Sequence, residues 1–275
     1  MTKTKVAQAL AKALGVVNQK GGVGKTIVSY NMVHAVAEAG HRICGVDFDV
    51  QGNATRSMGA AVLPDIDSSV FFGDSPLQLP ADLPNLSFIG ADELALQAVE
   101  DSALDDEQLV ARLKDRLGEL RARFDYLVFD TPGANNRIAN AVLANSDFVI
   151  LPCKVDSYSI DVATKVIRRI LAIQQHWNPE LVNLGILANE YDPHHPNQKE
   201  DLKALQAEYS DFMFPGWITY RSAYREAAGA NVPVWRYKSR GKPDARAAIK
   251  TAVRAAGKEF RALAQKIVER MEEAA

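Results

Sequence analysis

Short runs of apolar residues alternate along this chain with longer stretches in which apolar positions recur every three or four residues. The short runs predict strands at Leu14 to Asn18, Arg42 to Asp47, Leu86 to Gly90, Tyr126 to Asp130, Phe148 to Pro152, Asn183 to Asn189 and Phe214 to Thr219. Strands separated by helices pair in parallel, so the expected class is α/β: a largely parallel twisted sheet with helices on both faces. Near the end, Ile249, Val253, Ala256, Phe260, Leu263, Ile267 and Met271 fall at helical spacing and predict one buried stripe. Between Pro64 and Pro84, four prolines and Gly73 read as a loop-rich insertion, and YDPHHPNQKED reads as a polar loop. No repeat or low-complexity linker divides the pattern. The expected organisation is a short N-terminal segment, 1–13, followed by one domain over 14–275 with a basic C-terminal helical region at 236–272.

Composition narrows the class. Apolar residues make up 47% of 275 positions, enough for a sizeable core. The longest apolar runs are about eight residues against roughly 20 needed to cross a bilayer, and the start carries no long apolar leader, so a soluble cytoplasmic protein is expected. Cys44 and Cys153 each lie within an apolar run, as reduced core thiols do. His194 and His195 lack further ligands at metal-binding spacing. The net charge of −2 is unevenly distributed: Arg221 to Arg261 holds eleven basic and three acidic residues, near +8, leaving the rest near −10. Any affinity for a polyanion is therefore local.

The strongest chemical signal is KGGVGKT, which follows an apolar strand and opens a helix. Gly21, Gly22 and Gly24 let several backbone N–H groups point at one anion, and a helix N-terminus adds a favourable dipole. Lys25 is placed for β- and γ-phosphates and Thr26 for Mg²⁺, which makes ATP with Mg²⁺ the expected ligand. The run YLVFD ends a strand on Asp130, where a carboxylate can support the metal through water. In GVDFDVQGN, Asp47 and Asp49 end another strand. A capped turn facing solvent would explain them, but two acids beside a phosphate loop favour a cation or an attacking water.

Together these segments resemble the ParA/MinD family of deviant Walker P-loop ATPases, most closely its ParA branch. KGGVGKT is similar to the deviant Walker A loop, DFDVQGNAT to the DxDPQGNAT segment and FDYLVFDTPG to the Walker B strand. TYRSAYREAAGANVPV is similar to a later motif of the family. The resemblance implies a SIMIBI-like P-loop fold, slow ATP hydrolysis and an ATP-dependent homodimer. It implies that Lys20 reaches the phosphates held by the partner subunit, that Lys25 serves its own nucleotide, and that Asp49 orients or activates the attacking water. Nucleotide contacts are then expected at Lys20, Gly21, Gly22, Val23, Gly24, Lys25, Thr26 and Ile27, with Asn189, Tyr220 and Arg221 near adenine. Metal support is expected at Thr26, Asp49 and Asp130. Two departures stand out: Val50 replaces a proline, which is expected to leave the Asp49 loop less fixed, and Ile27 replaces a second threonine.

An output for such a switch lies in the basic C-terminal region. Arg246, Lys250, Arg254, Lys258 and Arg261 share one helical face, preceded by Arg236, Lys238, Arg240 and Lys242. Cations spread along a helix neutralise phosphates without reading bases, so nonspecific DNA binding is expected, strengthened when two copies pair. With the resemblance, this implies DNA partition for a plasmid or chromosome, a ParB-like or other adaptor that stimulates hydrolysis, and nucleoid association. Positioning of protein cargo, such as a carboxysome or chemoreceptor cluster, is the alternative within the branch. A MinD-like membrane ATPase is disfavoured because ERMEEAA is acidic where a basic amphipathic helix is required. A metabolic ligase or kinase of the same fold would need an acceptor pocket that the sequence does not reveal.

Overall fold

The computed structural model describes residues 10–133, 136–238 and 243–274, with the side chains of 243–248 outside that description. In chain order its elements are β1 (Lys12–Val16), α1 (Lys25–Glu38), β2 (Ile43–Asp47), α2 (Asn53–Met58), β3 (Val62–Asp67), β4 (Leu86–Gly90), α3 (Glu93–Glu100), α4 (Asp106–Arg121) and β5 (Tyr126–Asp130). There follow α5 (Arg137–Ala144), β6 (Phe148–Lys154), α6 (Ser159–His176), β7 (Val182–Tyr191), α7 (Pro196–Glu208), β8 (Met213–Thr219), α8 (Ser222–Gly229) and α9 (Pro243–Glu273).

Eight strands form one sheet in the order β3-β4-β2-β5-β1-β6-β7-β8, and every pairing is parallel. Strand residues alternate between two faces, and the core divides accordingly. Leu14, Val16, Val128 and Ile150 pack with Val28, Met32, Phe260 and Ile267, which come from α1 and α9. Ala13, Leu127 and Phe129 turn the other way, toward Leu109, Leu113 and Ile138 of α4 and α5. Over β6 and β7, Val149, Leu151 and Ile186 pack with Val166, Ile170 and Leu205 of α6 and α7.

The C-terminal helix follows its sequence pattern: Val253, Ala256, Phe260, Leu263, Ile267 and Met271 are buried, and Ile249 packs against the same cluster. Burying a side chain such as Phe260 contributes roughly 2–3 kcal/mol. The far end of α9 is pinned by Glu272, which pairs with Lys12 at 2.7 Å and accepts from the Tyr126 hydroxyl at 2.7 Å. Cys44 on β2 and Cys153 on β6 are free and buried.

Seven strands match the apolar runs, with β1 beginning two residues earlier than expected and β6 and β7 extending two residues further. The eighth, β3, corrects the loop-rich reading of the segment beginning at Pro64. It is an edge strand, where Pro64 costs no ladder bond, and its pairing with β4 is irregular between Val62 and Asp67. The polar stretch after β7 also departs from the expected loop. It turns at Asp192 to His195 and then enters α7 with Pro196 at the first helical position, where a missing N–H is harmless. The N-terminal residues 1–9 lie outside the described residues.

Candidate active site

Three strands at the middle of the sheet, β2, β5 and β1, deliver their C-terminal ends to one place. This is where the strand order turns back on itself, the position at which open parallel sheets hold ligands. β1 leads into the glycine loop, β2 into Asp47 and Asp49, and β5 into Asp130. The loops are tied together: the Thr131 hydroxyl donates to the carbonyl of Val16 at 2.7 Å, and the Phe48 N–H donates to the carbonyl of Asp130 at 2.9 Å.

The glycine loop folds as its residues require. Gly22 and Gly24 have φ of 72° and 90°, left-handed values that a side chain would strain. A Cβ on Gly24 would also collide with Nδ2 of Asn189, whose amide donates to the carbonyl of Val23 at 2.6 Å. Gly24 is the N-cap of α1 and supplies no capping side chain, so the first N–H groups of this 14-residue helix are free to face an anion.

Two cations and two acids define the chemistry of the cleft that opens here. It measures about 570 Å³ and is lined by Gly21, Gly22, Gly24, Lys25, Thr26, Ile27, Asp49, Val50, Gln51, Asn53, Pro132, Gly133, Asn136, Glu190 and Arg225. Burial lowers the Lys25 pKa, against the opposing fields of Asp130 and Asp49. Thr26 Oγ1 donates to Asp130 Oδ2 at 2.8 Å, and Ser29 Oγ donates to Oδ1 at 2.8 Å. Burial pushes the Asp130 carboxyl above its ordinary range and the Asp47 charge adds to this, opposed by the bonds from Thr26 and Ser29 and by Lys25.

Asp47 is wholly buried and structural in its contacts. It accepts from the Asp49 N–H at 3.0 Å and from the Thr55 N–H and hydroxyl at 2.9 and 2.7 Å. Burial raises its pKa too, with Asp49 adding to the effect and these hydrogen bonds opposing it. The loop carrying Asp49 is therefore held although Val50 stands where the family pattern has proline. Gln51 N–H donates to Asp49 Oδ1 at 3.0 Å, Gly52 N–H donates to its carbonyl at 2.8 Å, and Val50 packs against the core. These bonds restrain the loop in the absence of that proline.

Beside the phosphate cleft lies a smaller depression lined by Ile27, Asn189, Glu190, Ile218, Thr219, Tyr220, Arg221, Tyr224 and Arg225. Asn189, Tyr220 and Arg221 thus line one depression. Arg221 is directed to Glu259 at 3.6 Å, and Tyr220 is flanked by Arg225, which donates to its hydroxyl at 2.9 Å. Ile27, Glu190 and Arg225 line both hollows and so stand between them. Sequence reasoning missed Glu190 and Arg225. Glu190 carries a signal only in the backbone, a φ of 51° unusual for its type, and Arg225 was hidden inside a motif read for Tyr220 and Arg221.

Lys20 is not brought to this cleft. Its ammonium pairs with Asp156 at 2.9 Å and lies 5.9 Å from the ring centroid of Tyr158, and its side chain is 40% exposed. Val23 is buried and contributes its backbone rather than its side chain. In the basic region, Arg236, Lys238, Lys250, Arg254, Lys258 and Arg261 are exposed. Arg240 and Lys242 lie outside the described residues, as does the side chain of Arg246.

The residues fit Mg²⁺ with ATP. An uncapped helix start and Lys25 suit phosphates, while a threonine hydroxyl hydrogen-bonded to a buried carboxylate is a donor set for a hard cation. Comparison with known proteins agrees. Residues 11–183 match the family AAA_31, described as an AAA domain. Protein IncC of Escherichia coli is 31% identical over 273 residues, covering 95% of this chain and 70% of that protein. The chromosome partitioning protein ParA of Caulobacter vibrioides is 28% identical, covering 82% of this chain and 87% of the other. The structure of cobyrinic acid a,c-diamide synthase from Mycobacterium smegmatis with bound ADP and magnesium superposes with a TM-score of 0.68 at 26% identity, over 81% of this chain and 91% of that one. From its phosphate loop, its parallel sheet and these likenesses, the chain belongs to the ParA/MinD family of P-loop partition ATPases, with ATP and Mg²⁺ as its cofactors.

Proposed function

We propose that this chain is a slow ATPase of DNA partition, in which Mg-ATP joins two copies face to face and the pair binds DNA without sequence preference. The observation that carries this reading is the separation of the two lysines: Lys25 lies in the cleft, whereas Lys20, five residues earlier, points out of it to Asp156. A loop lysine directed away from its own phosphates is available to those of a second copy. Bound Mg²⁺ would neutralise charge on the β- and γ-phosphates, held through Thr26 and, by way of water, Asp130 and Asp49. Lys25 holds the phosphates of its own site, Asp49 orients the attacking water, and Asn189, Tyr220 and Arg221 border the base. Exchange of Lys20 from Asp156 to the partner's nucleotide ties dimerisation to ATP.

On the opposite end of α1, Lys250, Arg254, Lys258 and Arg261 present one basic face with Arg236 and Lys238, suited to phosphates of any sequence. In this reading a ParB-like adaptor stimulates hydrolysis and releases the DNA, and the protein works in the cytoplasm on the nucleoid. Among the described residues no helix is long and apolar enough to cross a membrane. The test is a steady-state ATPase assay with random-sequence duplex and the candidate adaptor. Joint stimulation by the two supports the reading. Stimulation by a small carboxylic acid with glutamine or ammonia, without DNA, would instead favour the ligase reading to which the Mycobacterium smegmatis likeness points.

A further inference from the structure

The basic face has an acid built into it. Glu38, the last residue of α1, accepts at Oε1 from Trp235 Nε1 at 2.9 Å and pairs there with Arg236 Nη2 at 2.6 Å. Its other oxygen accepts from Arg261 Nη2 at 3.0 Å. The Arg261 guanidinium also stands 4.8 Å from the centroid of the Trp235 ring. The two arginine side chains are 58% and 54% exposed, but the carboxylate side chain that holds them is only 24% exposed. Burial works against charge on Glu38, yet the bonds from Trp235 and Arg261 and the fields of Arg236 and Arg261 outweigh it and hold its pKa below the ordinary carboxylate value.

These arginines border a hollow of about 950 Å³ whose lining, among the described residues, includes Lys238, Lys250, Arg254 and Lys258 and no acidic side chain. A guanidinium treats a carboxylate and a phosphate alike, as anionic oxygens accepting charge-assisted bonds. The acid is fixed in place as well. Asn31, two turns back on α1, accepts from the Val234 N–H at 3.0 Å and donates to the Ile27 carbonyl at 2.8 Å, so the turn bearing Trp235 and Arg236 is fastened to the helix that opens at Lys25.

We propose that Glu38 is an internal competitor for the polyanion site: it occupies Arg236 and Arg261 in the resting chain, and the phosphates of DNA must displace it to gain those two contacts. The proposal rests on the DNA-binding reading above. A plain structural clamp would stabilise the turn without affecting DNA affinity, and the E38Q variant separates the two, because a glutamine oxygen still accepts from Trp235 while the negative charge is gone.

The experiment measures binding of the full-length protein with ATP and Mg²⁺ to labelled random-sequence duplex by fluorescence anisotropy over a salt series. Expected for E38Q are binding about fivefold or more tighter near 0.1 M salt and a log K against log salt slope steeper by about 1–2, as two further phosphates are neutralised. Adding R236A and R261A to E38Q should abolish the gain, whereas the same pair of changes in the chain that retains Glu38 should weaken binding less. Equal or weaker binding by E38Q with an unchanged slope, while the unaltered protein binds, overturns the proposal alone. Should E38Q fail to fold by thermal melting, the R236A/R261A pair decides: a loss as large as that from K250A/K258A overturns the competitor role, and a clearly smaller loss supports it. Absence of duplex binding by every form in every nucleotide state overturns the DNA reading and the proposal with it.

Discussion

Thr26 and Asp130, 104 residues apart in sequence, are joined by a 2.8 Å hydrogen bond from the threonine hydroxyl to a carboxylate that is 1% exposed. Ser29 donates to its other oxygen, and wholly buried Asp47 adds a like charge. A buried acid beside another acid opposes folding by desolvation and repulsion, so its presence is justified by the cation it serves. Asp130→Asn is therefore expected to separate activity from stability. Magnesium-dependent ATP hydrolysis should fall by about 100-fold or more. Thermal melts without nucleotide should show stability unchanged or raised by about 1–2 kcal/mol. A variant that loses both activity and several kcal/mol of stability would mean that Asp130 is chiefly structural.

The contact between Gly24 and Asn189 predicts a specific non-additivity. Gly24→Ala places a Cβ against the Asn189 amide and leaves a left-handed φ on a residue that resists it, at a cost of about 2–3 kcal/mol in folding stability. Asn189→Ala removes the collision but also the bond to the Val23 carbonyl. The double variant should be more stable than the sum of the single changes, by about 1 kcal/mol or more. Additive melting free energies would contradict this geometry.

His34 gives the chain a pH dependence of known sign. Burial, reinforced by Arg236 and opposed by Glu38, depresses its pKa from 6.5 to about 4, and its Nε2 is buried without a hydrogen-bond partner beside the Tyr30 ring. The unfolded chain then binds a proton that the folded chain does not between those two values. Stability from neutral His34 is complete above about pH 6.5 and is lost as pH falls toward 4, a contribution on the order of 3 kcal/mol. His34→Phe, which keeps a ring and removes the titration, should raise the melting temperature near pH 4 relative to that near pH 7 by comparison with the unaltered protein, leaving the opposite slope that the raised carboxyls of Asp47 and Asp130 give. Parallel pH profiles for the two would show that His34 is not responsible.

Much of this was legible in the residues. The apolar runs marked seven strands because parallel strands covered on both faces are continuous and short, and the glycine loop marked the phosphate site because its backbone demands are local. β3 was not legible, since edge pairing tolerates a proline that reads as loop. Glu190 and Arg225 share the cleft only after β7 and α8 are docked on α1. The clamp on Trp235, Arg236 and Arg261 was equally invisible, for its acid lies 197 residues before Trp235 on a helix read only as the continuation of the phosphate loop.

The claim at the centre of this account is that Lys20 completes the site of a second copy. It is tested most directly by sedimentation equilibrium of the intact protein with Mg-ATP, with Mg-ADP and without nucleotide, comparing the unaltered chain with Lys20→Ala. Dimers of the unaltered protein are expected with Mg-ATP and not with Mg-ADP or without nucleotide. The Lys20→Ala variant is expected to stay monomeric while still binding ATP. A Lys20→Ala variant that dimerises with ATP as the unaltered chain does would contradict it.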